Sequence, residues 1–191
     1  MWKLWAGVVL FGGVHLFSLL LPGARDGLKA RIGENAYKGL YALVSLAGVV
    51  LLAMAYLAGR SGPSTLDLIY EPYYGARHLM MLLVLVGFIL ISASLGKGYI
   101  KAFVKQPFSF GIALWAIGHL LVNGERAVVV IFGLFLVIAI LDIVFSTARG
   151  KVLTHVPVLR SDIIAIVAGV LLTALLALVF HPYALNIPVI T

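Results

Sequence analysis

Long apolar stretches alternate with short polar segments along the chain. Six stretches are long enough to consider as membrane spans, and they cover residues 4–21, 37–58, 78–95, 108–122, 127–145 and 163–180. About 20 apolar residues in a helix cross the roughly 30 Å hydrocarbon core of a bilayer. The stretches lack the alternation of barrel strands, so helices are needed to satisfy their backbone groups in lipid. The pattern predicts an all-α, polytopic membrane bundle of about six transmembrane helices.

The fourth stretch, residues 108–122, is the shortest and therefore the weakest span. It begins after Pro107 and ends at Asn123-Gly124, and residues 123–126 alone separate it from the fifth stretch. A connection this short predicts a tight antiparallel helical hairpin. No repeat, low-complexity tract or linker interrupts the chain, which predicts a single transmembrane domain over residues 1–191.

The first stretch could be a signal peptide, because Lys3 precedes an apolar run. The run is longer than the usual core of a signal peptide, however, and Arg25, Lys29 and Arg31 follow it directly. We therefore expect a retained membrane helix.

Composition supports the membrane interpretation and removes several kinds of chemistry. Of 191 residues, 63% are hydrophobic and only 11% are charged, whereas soluble domains have about 25% charged residues. This excludes a water-soluble globule. The chain has no cysteine, which excludes disulfides, cysteine-ligated zinc and thiolate chemistry. Glycine-rich phosphate loops and nucleotide-binding fingerprints are absent, so no nucleotide partner is expected.

The net charge of +7 predicts orientation in the membrane. With six spans, the first, third and fifth loops share a side and carry ten basic residues: Arg25, Lys29, Arg31, Lys38, Lys97, Lys101, Lys105, Arg149, Lys151 and Arg160. The other side carries four: Lys3, Arg60, Arg77 and Arg126. Basic residues favour the cytoplasmic side, so both termini are predicted outside, in the periplasm for a bacterial inner membrane. These basic residues form no continuous patch, and no nucleic-acid partner is expected.

Histidines inside membrane spans are the first candidates for chemistry, because an ionisable group there is costly. His15 and His119 are about 10 Å and about 17 Å from the inner ends of their spans, at 1.5 Å per residue. His155 is in a loop. His78 and His181 are at the outer ends of spans, where a histidine is usually interfacial. Depth therefore selects His15 and His119.

The two deep histidines have similar neighbours in the sequence. Phe11 precedes His15 by one helical turn, and Trp115 precedes His119 by one turn. Small residues accompany both histidines, among them Gly12 and Gly118. An aromatic wall and small residues around an imidazole suit haem, and two facing histidines would be axial ligands of one b-type haem.

Two observations limit this interpretation. Membrane histidines also bond across helices without a cofactor, and glycines are common in spans. No span has a second deep histidine, so one haem is the maximum. Asp142, near the inner end of the fifth span, is a weaker candidate, for an ion pair or a proton relay.

The residues 114–125, Leu-Trp-Ala-Ile-Gly-His-Leu-Leu-Val-Asn-Gly-Glu, resemble the hallmark of the NnrU family. Val14 to Ser18 resemble the family's first histidine span, and His181-Pro182-Tyr183 with Pro188 resemble its carboxyl-terminal end. The resemblance covers nearly the whole chain. It implies kinship with the 15-cis-zeta-carotene isomerases, which bind haem b, and the histidines thought to bind haem there correspond to His15 and His119.

One position departs from the family pattern. Relatives commonly have His-Pro before the fourth span, where this chain has Gln106-Pro107. Glutamine cannot titrate near neutral pH, and two interpretations stay open: a function has been lost here, or the position is only a helix start.

Three functions remain open from the sequence. The first is an accessory haem b protein of nitric oxide, nitrite or respiratory metabolism, with a redox partner. The second is a haem-dependent isomerase of a carotenoid-like polyene. The third is a haem-free structural membrane protein whose histidines bond across helices.

Overall fold

A computed structural model describes residues 1–60, 67–150 and 155–187, and it describes only the backbone of residues 59 and 60. Within these ranges the regular elements are helices: α1 Trp2–Leu20, α2 Pro22–Ile32, α3 Glu34–Arg60, α4 Arg77–Ser94, α5 Tyr99–Val104, α6 Pro107–Val122, α7 Arg126–Ala148 and α8 Leu159–Ala184. No strand is formed in the described ranges, and Leu68 and Glu125 form an isolated β-bridge. The prediction of an all-helical fold is confirmed.

Five of the described helices are long and apolar enough to cross a membrane: α1, α3, a segment Tyr74–Ser94 that contains α4, α7 and α8. The prediction of a polytopic membrane protein is therefore confirmed. Helix α6 is also apolar but has 16 residues, and it is shorter than the five. Lys151 and Pro188, which entered the predictions of orientation and family resemblance, lie outside the described residues.

Prolines and glycines set several of the helix ends. Pro22 and Pro107 stand in the first turns of α2 and α6, where the missing N–H costs no helical bond. Gly33 has a φ of 87° and ends α2, because glycine adopts this left-handed region without a steric penalty. The polar segment after α1, which the apolar pattern left as a loop, is therefore the 11-residue helix α2.

The described residues form two compact units, taken separately below. One unit contains Met1–Tyr70 and Gly124–Leu134, and the other contains Glu71–Asn123 and the chain from Phe135 onward. In the first unit, α1 and α3 approach closely at glycines. A Cβ atom on Gly48 would lie 2.6 Å from the Phe11 nitrogen, and one on Gly7 would lie 2.8 Å from Leu52 Cγ.

In the second unit, α4 packs between α6 and α8. A Cβ atom on Gly111 of α6 would lie 2.5 Å from the Gly87 carbonyl of α4, and one on Gly118 would lie 3.2 Å from the Met80 carbonyl. These pairs run in opposite directions, so α4 and α6 are antiparallel. On α8, a Cβ atom on Gly169 would lie 2.6 Å from the Ile89 Cα. Glycine permits each of these close helix contacts.

Burial is typical of a protein in lipid. The fully packed positions include small residues such as Ala116, which is 0% exposed, whereas large apolar side chains such as Leu43 and Leu171 are 67% and 63% exposed. Outside a membrane, so much exposed apolar surface would cause aggregation. Small residues thus allow close contacts between helices, and many large apolar side chains remain exposed where lipid would lie.

Candidate functional site

In the first unit, His15 lies in α1 directly after a π-helical turn, Val8–Gly12. Its Nδ1 is 2.7 Å from the Phe11 carbonyl oxygen. A carbonyl oxygen can only accept, so Nδ1 carries the proton and the lone pair of the neutral ring is on Nε2. The Phe11 ring lies 4.1 Å from the His15 ring between centroids, and Tyr41 of α3 lies 5.2 Å from it.

In the second unit, His119 of α6 has the same arrangement. Its Nδ1 is 2.9 Å from the Trp115 carbonyl oxygen, which again places the lone pair of the neutral ring on Nε2. The Trp115 ring is 5.2 Å from the His119 ring, edge to face, and the Phe135 ring lies 5.3 Å from the Trp115 ring. In both units one aromatic residue supplies the carbonyl and the adjacent ring.

The structure brings a further histidine to His119. The His181 ring lies 6.3 Å from the His119 ring between centroids, with 29° between the planes. His181 lies in a π-helical segment that also contains Pro182. Its Nδ1 is 2.7 Å from the Leu176 carbonyl oxygen, five residues earlier. The sequence ranked His181 as an interfacial residue, and its contact with His119 was missed.

The two glycines predicted to pack haem lie against protein atoms. A Cβ atom on Gly12 would meet Leu134 Cδ1 at 3.0 Å, and Gly118 lies against α4. Close helix contact therefore explains both glycines, and their role beside a haem stays a prediction. Gly13 is different, since nothing described lies within 4 Å of its Cβ position.

The family hallmark divides into two parts with different contacts. Trp115 and His119 form the aromatic pair described above, whereas Asn123 Nδ2 donates to the His119 carbonyl at 2.7 Å and ends α6. The Gly124 carbonyl accepts a bond from the Ile69 nitrogen at 2.8 Å. The Asn-Gly-Glu part of the hallmark therefore holds the turn after α6, as a helix stop should.

The polar residues at the start of α6 contact α7. Gln106 Nε2 donates to Thr147 Oγ1 at 2.8 Å and to the Ile143 carbonyl at 3.3 Å. Asp142 accepts hydrogen bonds from the hydroxyls of Ser109 and Ser146. In this chain Gln106 thus connects two helices, and the Asp142 carboxylate is bonded to serine hydroxyls.

The donor set can be compared with what a metal or haem requires. Neutral imidazoles with Nδ1 held by a carbonyl are the usual form of ligating histidine, so His15 and His119 fit as haem ligands. Among the described residues, no group of three or more His, Asp or Glu side chains could hold a metal ion. Each imidazole, taken within its own unit, therefore has the tautomer that an iron ligand needs.

The remaining two histidines lie away from these rings. His78 is exposed at the start of α4, and His155 precedes α8 with Nε2 3.5 Å from the Gly98 carbonyl oxygen. Neither has a described ring contact with His15, His119 or His181.

The fold and these sites define a polytopic helical membrane protein with histidines held inside its helices. The chain belongs to the NnrU family, because the profile of the NnrU protein family matches residues 3–189. No curated protein and no solved structure matches the chain. The kinship with carotene isomerases that the sequence implied stays a prediction.

Proposed function

We propose that this NnrU-family protein binds one haem b in the membrane, and that His15 and His119 would hold it through their imidazoles. The observation that carries the proposal is the same arrangement at both histidines. In each case the aromatic residue one turn earlier accepts the Nδ1 proton at 2.7 Å or 2.9 Å and packs its ring beside the imidazole. This fixes the tautomer and the ring orientation that iron ligation requires.

The residues of this chain would do three things for the cofactor. The carbonyl bonds hold His15 and His119 in the ligating tautomer, and Phe11 and Trp115 place apolar rings beside the imidazoles. The lipid-embedded helices exclude water, which affects the redox potential of a bound haem. When bound, a haem with two imidazole ligands supplies one-electron transfer.

The role that we propose is accessory, in nitric oxide, nitrite or respiratory metabolism, with a redox partner in the bacterial inner membrane. A haem held by the imidazoles of both His15 and His119 would favour electron transfer over substrate binding. The carotenoid alternative is tested in cells that make 9,15,9′-tri-cis-zeta-carotene. If the haem-loaded protein converts this substrate to the 9,9′ form, the protein is an isomerase and the proposed accessory role is wrong.

The haem proposal is tested by the absorbance of the purified full chain with haem supplied. The wild-type protein should show a Soret band, and His15→Ala or His119→Ala should abolish it. His155→Ala should keep the band, because His155 lies before α8 in the chain and outside the membrane-spanning helices. His15→Met retains an iron ligand and should shift the spectrum, which separates loss of a ligand from loss of folding. A colourless wild-type protein would support the haem-free alternative and exclude this proposal.

The contact between His119 and His181 provides a second possible ligand pair. The two ring centroids lie 6.3 Å apart, which makes His181 a candidate haem ligand that the sequence alone did not indicate. Under our proposal, His181→Ala keeps the Soret band. If His181→Ala removes the band while His15→Ala keeps it, the assignment of His15 is wrong.

We also propose that α6 is the sixth span and that both termini lie outside. The support is that α6 lies antiparallel to α4 from Gly118 beside Met80 to Gly111 beside Gly87. Its 16 residues extend over about 24 Å at 1.5 Å per residue, and a bilayer accommodates a short span by local thinning.

A further inference from the structure

A cavity lined by cationic, hydroxyl and aromatic side chains lies in the first unit, where α1 ends and α2 begins. Its volume is about 250 Å³, and it is lined by Ser18, Arg25, Lys29, Tyr37, Lys38 and Tyr41. Three of these six side chains are cations, supplied by α2 and the first turns of α3. His15 does not line the cavity, so the haem proposal leaves it unexplained.

Two hydroxyl groups and one ammonium group lie near one another in its lining. Tyr37 is buried, with 7% of its surface exposed, and its hydroxyl lies 2.6 Å from the Ser18 hydroxyl. The Lys29 ammonium lies 5.4 Å from the centre of the Tyr37 ring, which is a favourable cation–π position. Because one hydroxyl donates to the other, one O–H and the ammonium N–H groups remain as donors for an anionic oxygen.

The charges around the cavity are only partly compensated. Arg25 pairs with Asp26 at 2.8 Å, and this hydrogen bond raises the pKa of Arg25. Lys38 pairs with Glu34 at 2.7 Å, and both side chains are about two-thirds exposed. An ion pair this exposed contributes little to stability. Among the described residues, no carboxylate lies within salt-bridge distance of Lys29. Glu34 also interacts electrostatically with Lys29, so two carboxylates compensate three cations around the cavity.

The surroundings of the cavity match the boundary between headgroups and acyl chains. Helix α1 ends at Leu20, and the polar helix α2 follows it. Beyond the cavity, α3 exposes Leu40, Leu43 and Leu46, which are 51%, 67% and 61% exposed. A ligand with a phosphate at one end and apolar chains at the other would contact both regions.

We propose that this cavity binds the phosphate of an anionic phospholipid headgroup. Lys29 is the main cation for the phosphate, and Lys38 leaves its ion pair with Glu34 to contact the phosphate as well. The acyl chains lie along the exposed leucines of α3. Basic pockets between transmembrane helices bind anionic headgroups in this way. The site needs no haem, and it shares one lining residue, Tyr41, with the surroundings of His15.

The test is native mass spectrometry of the purified full chain in mild detergent, titrated with phosphatidylglycerol or with phosphatidylcholine. The wild-type protein should retain phosphatidylglycerol preferentially. The double variant Lys29→Gln/Lys38→Gln should bind it more weakly, by about fivefold for each lysine removed. Arg31→Gln is the matched control, because Arg31 is an exposed cation of α2 that does not line the cavity.

Three outcomes would overturn the proposal. They are equal retention of the two lipids, an unchanged affinity in the double variant, and an equal loss in Arg31→Gln.

A porphyrin carboxylate is the other source of anionic oxygen, and it is tested by titrating haem and haem dimethyl ester. If the lysine variants weaken only the binding of free-acid haem, the cavity holds the porphyrin and the lipid proposal is wrong. Tyr37→Phe keeps all charges and should weaken lipid binding less than the double variant.

Discussion

Asp162 connects two elements of the second unit through backbone hydrogen bonds. It is buried, with 6% of its surface exposed, and it lies in the first turn of α8. Its carboxylate accepts bonds from the Tyr99 nitrogen at 2.7 Å and the Ile100 nitrogen at 3.1 Å. These N–H groups begin α5, a helix of six residues. A helix this short is not stable alone, so its position depends on Asp162.

We expect Asp162→Ala to lower the free energy of unfolding by about 1.5–3 kcal/mol, since it leaves two N–H groups without their charged acceptor. The measurement is the Tm of the purified protein in mild detergent. Asp162→Asn keeps one acceptor oxygen and should give an intermediate Tm. Ser161→Ala is the neighbouring control, because Ser161 accepts the exposed Lys97 N–H and should cost less. An unchanged Tm in Asp162→Ala would contradict this role.

The histidines show what residue-level prediction could and could not achieve. Depth in the apolar stretches and an aromatic residue one turn earlier selected His15 and His119, and the structure shows the same backbone bond at both. His181 was ranked lower, since the last apolar stretch was predicted to end at residue 180, whereas α8 continues through His181 to Ala184. The continuation is π-helical and contains Pro182, and apolar periodicity does not detect such a turn.

At the scale of elements, glycine decides where helices meet. Gly169 of α8 faces the backbone of α4, where an added Cβ atom would lie 2.6 Å from the Ile89 Cα and 2.7 Å from its nitrogen. Backbone atoms cannot move aside as the end of a flexible side chain can. Gly133 of α7 has no described atom within 4 Å of its Cβ position.

Gly169→Ala should therefore destabilise the protein by about 1–3 kcal/mol, the usual cost of overpacking. Gly133→Ala should leave the stability unchanged or raise it by up to about 1 kcal/mol, because alanine favours the helix. Both effects are measured as Tm in the same detergent. If the two variants shift Tm equally, close packing at Gly169 is not the cause.

Helices that coincide with long apolar stretches were predicted well from the sequence, and a helix without such a stretch was missed. The predicted fourth stretch, residues 108–122, coincides with α6 to within one residue, because Pro107 and Asn123 limit it chemically. Helix α2 was missed since its residues are mostly polar and small, without an apolar face to detect. Its packing on α3 forms the cavity, which no motif in the sequence indicates.

At the scale of the whole molecule, the unequal distribution of charge predicts the topology. A sequence without cysteine allows this prediction to be measured directly, because a single introduced cysteine reports its side of the membrane. Four exposed positions are suitable, Asp26, Glu71, Lys105 and Glu125. They lie before α3, before α4, before α6 and after α6, respectively.

With six spans and both termini outside, Glu71→Cys and Glu125→Cys should react with a membrane-impermeant maleimide on intact bacterial cells. Asp26→Cys and Lys105→Cys should react only after permeabilisation, since the positive-inside rule places the basic loops in the cytoplasm. The two variants on either side of α6, Lys105→Cys and Glu125→Cys, decide whether this short helix crosses the bilayer. If Lys105→Cys and Glu125→Cys label alike, α6 does not cross the bilayer, and the chain has the five spans that meet the length criterion. If all four patterns are reversed, α6 crosses but the termini lie in the cytoplasm, and the cavity lined by Lys29 and Lys38 faces the outer leaflet.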